Sequence, residues 1–426
     1  MAFRLISQFT TLGRNVKEHF EFRISNFEIP LVGFNCCRIM ATTLKELLKT
    51  HTIEGELYEH LEGGKLRCFA CGHRCVILEG LDGICRVRYN DGGRLMVPAG
   101  YVGGVQCDPT EKKPFFHAYP GSLALTFGML GCDLHCSYCQ NWVTSQALRD
   151  PNATAPPRKM TPEDLVRIAQ QYDARLVVSS YNEPLITSEW AVEIFKQAQG
   201  AGFVCGYVSN GNATAEVLDY IRPYTDLYKI DLKSFDDGHY RKLGGVLQNI
   251  LDTIRMVHER GFWLEIVTLV IPGFNDSPDE LKAMAEFIAS VSPEIPWHVT
   301  AFHKDYKMTG PDNTPVETLI RTVEMGYDTG LKFVYAGNIP GALGKYENTF
   351  CPNCASLLIE RIGSGLERIA FVTGSAPIAV RAYPADGTRS QRFRRSGPHL
   401  FEFSDSRVLI SGFSRWYGAF DTASPQ

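Results

Sequence analysis

The chain has 426 residues, 44% of them hydrophobic and 21% charged, and a formal net charge of -4. That balance gives no reason to expect nucleic acid or an anionic membrane as the main partner. No apolar run approaches the roughly 18 residues that cross a bilayer, and no secretory signal is present, so the expected location is the cytoplasm. Where 13 cysteines cluster in such a reducing compartment, they point to metal ligation or catalysis before disulfides.

Residues 1–39, ending "FNCCRIM", share none of the later periodicity and read as a dispensable extension. Glu18, Glu21 and Glu28 argue against a targeting peptide there. Met40 opens "MATTLKELLK", an amphipathic helix that starts a cysteine-rich module over 40–120. Within it, "CFACGHRC" spaces Cys68, Cys71 and Cys75, and "GLDGICRVR" adds Cys85. Four thiols among Gly-rich turns suffice for a closed metal site, and structural zinc and an auxiliary iron–sulfur cluster fit that ligand count equally. His73 is a substitute ligand. Cys36, Cys37, Cys107 and Cys205 lack metal-site spacing and read as small apolar residues.

From residue 121 to 340, β-like runs alternate with amphipathic helices. The runs are "LALTFGML" (123–130), "ARLVVSSY" (174–181), "FVCGYVS" (203–209), "LYKIDLK" (227–233), "FWLEIVTLVI" (262–271), "WHVTAF" (297–302) and "LKFVYAG" (331–337). Their nearly continuous apolar character predicts strands buried on both faces. "TPED" (161–164), "SPDE" (277–280) and "TPVE" (314–317) each offer a Ser or Thr N-cap, Pro at the first helical position and a carboxylate in the first turn. Such alternation predicts an α/β fold, either doubly wound or a full or partial barrel. No G-x-G-x-x-G follows the first strand, which disfavours dinucleotide binding.

Polar signals recur at one address. "GCDLHCSYCQNW" follows the first run, "YNEP" (181–184) the second and "SNGN" (209–212) the third. "DLKS" (231–234), "PGFND" (272–276) and "FHKDYKM" (302–308) close the next three. Each alone is a turn, whereas six at the carboxyl ends of successive strands predict a barrel active site. Asp231 and Lys233, two apart on a strand, point the same way, as an ion pair or as ligand-positioning groups. Asn275 and Asp276 read as the turn before the Ser277 cap. His303, within "HKDY" (303–306), reads as a proton-transfer or substrate-carboxylate group or as a structural hydrogen-bonding residue.

Cys132, Cys136 and Cys139 stand in C-x3-C-x2-C spacing, one short of a four-thiolate site. A zinc knuckle would borrow a distant His or Cys. The strand–loop context instead strongly resembles the radical S-adenosylmethionine (SAM) superfamily. That resemblance implies a [4Fe–4S] cluster on the three thiolates, with the fourth iron open to the amino and carboxylate groups of SAM. It implies reductive cleavage of SAM to a 5′-deoxyadenosyl radical, which takes hydrogen from a substrate. By the same resemblance Tyr138 lies near the adenine, Asn182 and Glu183 meet the SAM amino group, and Asn210 meets its ribose or carboxylate. Asp231 and Lys233 occupy further positions seen in activating enzymes of the pyruvate formate-lyase type.

The order of "CFACGHRCVILEGLDGICRVRYN", "DPTEKKPFFHAYPGS", "KIDLKSFD", "VIPGFND", "GNIPG" and "NTFCPNCASLLIERIG" around that loop is most similar to the radical SAM enzyme of the AmmeMemoRadiSam system. The resemblance covers roughly 40–362. It implies a partial (β/α)6-type barrel with an N-terminal cysteine-rich module and a C-terminal extension. It also implies an electron donor such as flavodoxin or ferredoxin, Memo-type and AMMECR-type partners, and a small-molecule or protein substrate. A glycyl-radical enzyme activase is one alternative, and a zinc-dependent scaffold is another. The extension, 341–426, opens with "CPNC": Cys351 and Cys354 form half a knuckle, and no cysteine follows them. Arg389, Arg392, Arg394 and Arg395 read as a solvated basic patch.

Overall fold

The computed structural model describes residues 43–153 and 155–369, together with the paired strands Arg381–Pro384 and Ser406–Leu409. The expected extension over 1–39, Cys36, Cys37 and the four tail arginines lie outside the described residues. The helix expected near Met40 spans Leu44–Lys49 and begins at Thr43, which shares a capping box with Glu46.

Eight strands build one sheet, numbered here in chain order: β1 Gly104–Pro109, β2 Leu123–Gly128, β3 Leu176–Ser179, β4 Val204–Ser209, β5 Leu227–Asp231, β6 Trp263–Val270, β7 Trp297–Ala301 and β8 Val334–Gly337. Each strand bonds to the next in sequence, from β1 at one edge to β8 at the other. β2 to β8 are parallel, matching the seven apolar runs, and β1 pairs antiparallel with β2. β1 escaped the sequence because "GVQCDP" is neither apolar throughout nor cleanly alternating. Seven helices of seven residues or more lie between consecutive parallel strands, among them Pro162–Gln171, Ser188–Gly200, Leu247–Glu259 and Pro278–Val291.

The alternation of side chains across each strand gives the sheet two different faces. Leu125, Phe127, Val177, Cys205, Tyr207, Tyr228, Ile230 and Ile266 pack against helical residues such as Leu165, Trp190, Phe195, Leu218, Ile254 and Met284. On the opposite face, Ala124, Leu176, Val178, Val204 and Leu227 receive Phe115, Ala118 and Tyr119 from the segment before β2.

Thr161 and Ser277 cap their helices as expected, accepting from Asp164 and Glu280 backbone N–H groups. Thr314 does not. The helix Val316–Asp328 starts after Pro315. Thr314 Oγ1 instead donates to Val270 O (2.5 Å) and accepts from Phe302 N (2.8 Å), tying the carboxyl ends of β6 and β7 together.

At the amino ends of the strands lies a buried polar network. Glu265 accepts from Phe116 N, His117 N and Trp263 Nε1, each at 3.0 Å, and pairs with His298 Nε2 at 2.7 Å. Burial would raise its carboxyl, but His298, His117 and the Trp263 N–H together outweigh burial and hold it down at about 2. His117 bonds Tyr335 (2.6 Å), Tyr335 bonds Thr349 (3.0 Å), and Arg361 donates to Thr349 Oγ1 (2.7 Å) and Phe116 O (2.8 Å). These contacts fasten the hairpin Leu357–Ile362/Gly365–Ile369 and the segment before β2 to the sheet.

Candidate active site

The carboxyl ends of β2 to β5 converge on the cysteine loop. β2 ends at Gly128, where a Cβ would stand 2.3 Å from Ser180 O, so only glycine lets the ends of β2 and β3 approach this closely. Cys136 is buried with Leu134, Tyr138, Leu243, Ile271 and Phe302, and Cys132 and Cys139 pack against the same cluster. Two polar hydrogens address the outer sulfurs: Leu134 N lies 3.4 Å from Cys132 Sγ, and Ser145 Oγ lies 3.1 Å from Cys139 Sγ. Burial pushes the Cys136 thiol up to about 12 and raises Cys132 and Cys139 as well.

Tyr138, 4% exposed, stands edge-on to Phe274 with ring centroids 5.9 Å apart. Its hydroxyl is buried without a hydrogen-bond partner. An orphaned donor beside three gathered thiols is what a site for a bound polar group requires.

A residue that the sequence reading passed over organises this loop. Asp133, wholly buried between Cys132 and Leu134, accepts from Asn210 Nδ2 (2.7 Å) and Asn212 Nδ2 (2.8 Å). Asn210 thereby reaches from the end of β4 to the cysteine loop, with Nδ2 4.0 Å from Cys132 Sγ. Its backbone N donates to Glu183 Oε2 (2.7 Å), while Ser209 Oγ (2.7 Å) and Leu185 N (3.2 Å) donate to Oε1. Burial, reinforced by Asp133, raises the Glu183 carboxyl well above the usual range. Asn182 accepts from Met129 N (3.0 Å) and donates to Glu183 O (3.2 Å), locking the end of β2 to the turn after β3. The visible signal for Asp133 was a carboxylate inside the triplet itself.

Asp231, at the end of β5, is the shared partner of two lysines. Lys229 Nζ bonds Oδ1, and Lys233 Nζ lies 3.2 Å from Oδ2. Burial would raise the carboxyl, but Lys229 and Lys233 together hold it down at about 2. Lys229 was the missed member, although "KIDLK" shows the same period-two spacing. Lys233 feels Asp231 and Cys136 together, which connects this ladder to the thiols. Asn275 lies in the turn before the Ser277 cap, as expected, and is buried there; it donates to Lys233 O (2.8 Å) and Leu269 O (2.9 Å).

The loop after β7 covers the cysteine loop from outside. Tyr306 stacks on Trp142 with centroids 5.1 Å apart, Lys307 N donates to Ser137 O (3.0 Å), and His303 Nε2 lies 2.9 Å from Gln140 Nε2. Cys351 is buried and Cys354 exposed. Among the described residues, no three or more His, Cys, Asp or Glu side chains are arranged to hold one metal ion, so this pair gains no further ligand. The Cys132 triplet is likewise not arranged about one ion position among the described residues, and a polynuclear cluster takes one thiolate per iron.

The sequence model of the radical SAM superfamily matches residues 127–288, which run from the end of β2 through the thiol loop to the helix after β6. The uncharacterized protein MJ0808 of Methanocaldococcus jannaschii is 37% identical over 310 residues, spanning 72% of this chain and 91% of that protein. The chain belongs to the radical SAM superfamily. Radical SAM membership implies a [4Fe–4S] cluster and SAM, and the three gathered thiols, one buried and two partly buried, the Leu134 N–H aimed at Cys132 and the orphaned Tyr138 hydroxyl fit those groups. The chain is also homologous to pyruvate formate-lyase-activating enzymes. The pyruvate formate-lyase 1-activating enzyme of Escherichia coli is 26% identical over 222 residues, covering 47% of this chain and 87% of that enzyme. A solved domain of the pyruvate-formate lyase-activating enzyme from Bacteroides vulgatus is 28% identical, covering 38% of this chain and 98% of that one, with a TM-score of 0.34. No helix among the described residues is long and apolar enough to cross a membrane.

Proposed function

We propose that this chain is a radical SAM enzyme of the AmmeMemoRadiSam type, built on a partial (β/α)6-type barrel and working in the reducing cytoplasm. In-order parallel pairing from β2 to β8, with polar groups gathered at the carboxyl ends, supports the barrel reading. The observation that carries the function is the meeting of Cys132, Cys136 and Cys139 with Tyr138, Asn210 and the Lys229–Asp231–Lys233 ladder at that end. Cys132, Cys136 and Cys139 would hold a [4Fe–4S] cluster, which when bound and reduced would supply the electron for cleavage of SAM to methionine and a 5′-deoxyadenosyl radical.

The chain's own side chains divide the remaining work. The three thiolates hold three irons. Tyr138 and Phe274 form an aromatic wall for the adenine. Asn210 and Asp133 keep the Cys132 side of the loop in place, and Glu183, with Asn182 behind it, fixes the ends of β3 and β4 where the SAM amino group enters. Asp231 and Lys233 orient the bound ligands. The loop carrying Tyr306 limits water access above the thiols. The proposed partners are a flavodoxin- or ferredoxin-type electron donor and Memo-type and AMMECR-type proteins. A glycyl-radical activase is the second reading, favoured by the homology to pyruvate formate-lyase-activating enzymes.

Anaerobic reconstitution tests the reading. The expected result is a visible charge-transfer chromophore together with reductant-dependent formation of 5′-deoxyadenosine. Stoichiometric zinc with no SAM cleavage would refute it and leave a scaffold.

A further inference from the structure

Segment 65–88 brings a second set of thiols together. The strand Lys65–Cys68 pairs with Val76–Ile77, and Cys68 N donates to Cys75 O (3.0 Å). Arg74 N closes a turn on Cys71 O (3.0 Å), and Arg86 N closes another on Gly83 O (2.9 Å), with both arginines at positive φ. Cys68, Cys71 and Cys85 are each 6% exposed, and Cys75 is half-buried. Ile84 N is aimed at Cys75 Sγ from 3.5 Å.

Arg88 is a buried cation in the same place, 1% exposed. Its two terminal nitrogens bond Glu189, each at 2.7 Å, and Nη1 also reaches Ile186 O at 3.1 Å. Its Nε–H has no partner, although Cys68 and Cys85 lie within electrostatic reach of the guanidinium. A buried orphan donor costs about 1–3 kcal/mol unless something accepts from it.

A tetrahedral zinc would draw its four sulfurs to roughly 3.8 Å from one another, given Zn–S bonds of about 2.3 Å. No three thiols among the described residues converge in that way. The Cys132 triplet, whose superfamily carries a cluster, is likewise not gathered about a single-ion position. Segment 65–88 also touches the Cys132 loop at two points. His73 Nε2 lies 3.2 Å from Asp133 O. Arg149 donates to Cys132 O (2.7 Å), Leu134 O (3.3 Å) and Ile84 O (2.7 Å), bridging the two cysteine-bearing loops. Gly72 makes the contact close: a Cβ there would stand 2.3 Å from Asn212 Oδ1, the side chain that holds Asp133.

We propose that Cys68, Cys71, Cys75 and Cys85 hold a second iron–sulfur cluster, with the Arg88 Nε–H donating to one of its sulfurs. The site goes beyond the reading of the Cys132 triplet and stands or falls separately from it. Thiolate is the soft ligand that iron–sulfur clusters take, and N–H donors to sulfur stabilise the more negative, reduced cluster.

The test uses the full chain, isolated anaerobically, with iron, sulfide and zinc counted per chain. The variant C132A/C136A/C139A is expected to keep about four irons and about four sulfides, half of the wild-type content, and a chromophore that SAM does not perturb. One zinc and no iron in that variant would overturn the proposal, and neither metal would overturn it equally. C71A/C85A is expected to lose the same half while SAM still perturbs the spectrum of what remains. Because that variant disturbs a buried segment, the triple variant decides if it fails to fold. R88K removes the Nε–H and is expected to lower the reduction potential of the second centre without changing iron content. An unchanged potential would remove Arg88 from the site.

Discussion

The two ends of the parallel sheet are both buried and both polar, yet they are built differently. At the amino ends, Glu265 collects three N–H donors and His298, and Arg361, Thr349 and Tyr335 continue the network into the C-terminal hairpin. At the carboxyl ends, three thiols and the Tyr138 hydroxyl have little to bond within the chain, and one carboxylate serves two lysines. Both ends leave buried polar atoms unpaired, His117 Nδ1 and Arg361 Nε at one and the Tyr138 hydroxyl at the other, so it is the gathered thiols that mark the carboxyl end as organised around a guest. Cys136→Ala should therefore separate the ends most sharply. Reductive SAM cleavage is expected to fall to background while the unfolding midpoint in denaturant stays near that of the wild type; retained cleavage would break the assignment of the carboxyl end.

Glu265→Ala is the opposite probe. Removing the acceptor shared by four donors should cost about 3–5 kcal/mol of stability, read by chemical denaturation. Iron content per folded chain should be unchanged, and a selective loss of iron would show that the two ends are not independent.

Asp231→Asn leaves Lys229 and Lys233 without their carboxylate. A fall of roughly 10–100-fold in SAM cleavage, with the cluster retained, is the expected scale for a group that orients ligands beside a metal site. A change confined to stability would reduce the ladder to a structural ion pair.

Acid should act through the amino end. Burial lowers His117 to about 3 from its ordinary 6.5 and lowers His298 as well. Below pH 6.5 the unfolded chain binds protons that the folded chain refuses, so His117 makes stability fall as pH drops towards about 3, by about 1.4 kcal/mol per pH unit, and His298 adds in the same direction. Glu265 adds to this loss between its ordinary 4.5 and about 2, because its folded carboxylate must then be protonated. His117→Gln should flatten the slope of denaturation free energy between pH 6 and about pH 4.5; an unchanged slope would reject His117 as its source.

Tyr138→Phe is the smallest effect expected. A hydroxyl with no partner contributes nothing by hydrogen bonding, so stability should change by less than about 0.5 kcal/mol. SAM affinity, measured by calorimetry on reconstituted protein, should weaken about three-fold, roughly the net value of a single hydrogen bond. A large loss of stability would mean that the hydroxyl is structural.

Much of this was legible in the chain itself. Seven apolar runs became seven parallel strands because residues buried on both faces of a sheet must be apolar almost throughout, and that leaves an unmistakable pattern. The thiol triplet and the thiol quartet were legible as groups, because each sits at short spacings within one local segment. Thr314 misled because a cap sequence is only an offer: tertiary contacts with Val270 and Phe302 took its side chain. Asp133 and Arg88 went unread as site residues because their partners lie 77 and 101 residues away in the chain, whereas Lys229 was within reach of the same period-two reading as Asp231 and Lys233.

What the sequence determined alone was the alternation of strand and helix, the helix starts at Thr161 and Ser277, and the local groups of cysteines. These depend on period, propensity and spacing within a few residues. What only the tertiary structure decided was which polar groups close on one another and which are left over. Glu265 and Tyr138 are both buried polar side chains, and no local rule separates them. Their difference lies in which backbone and side-chain partners the folded sheet carries to within hydrogen-bond distance.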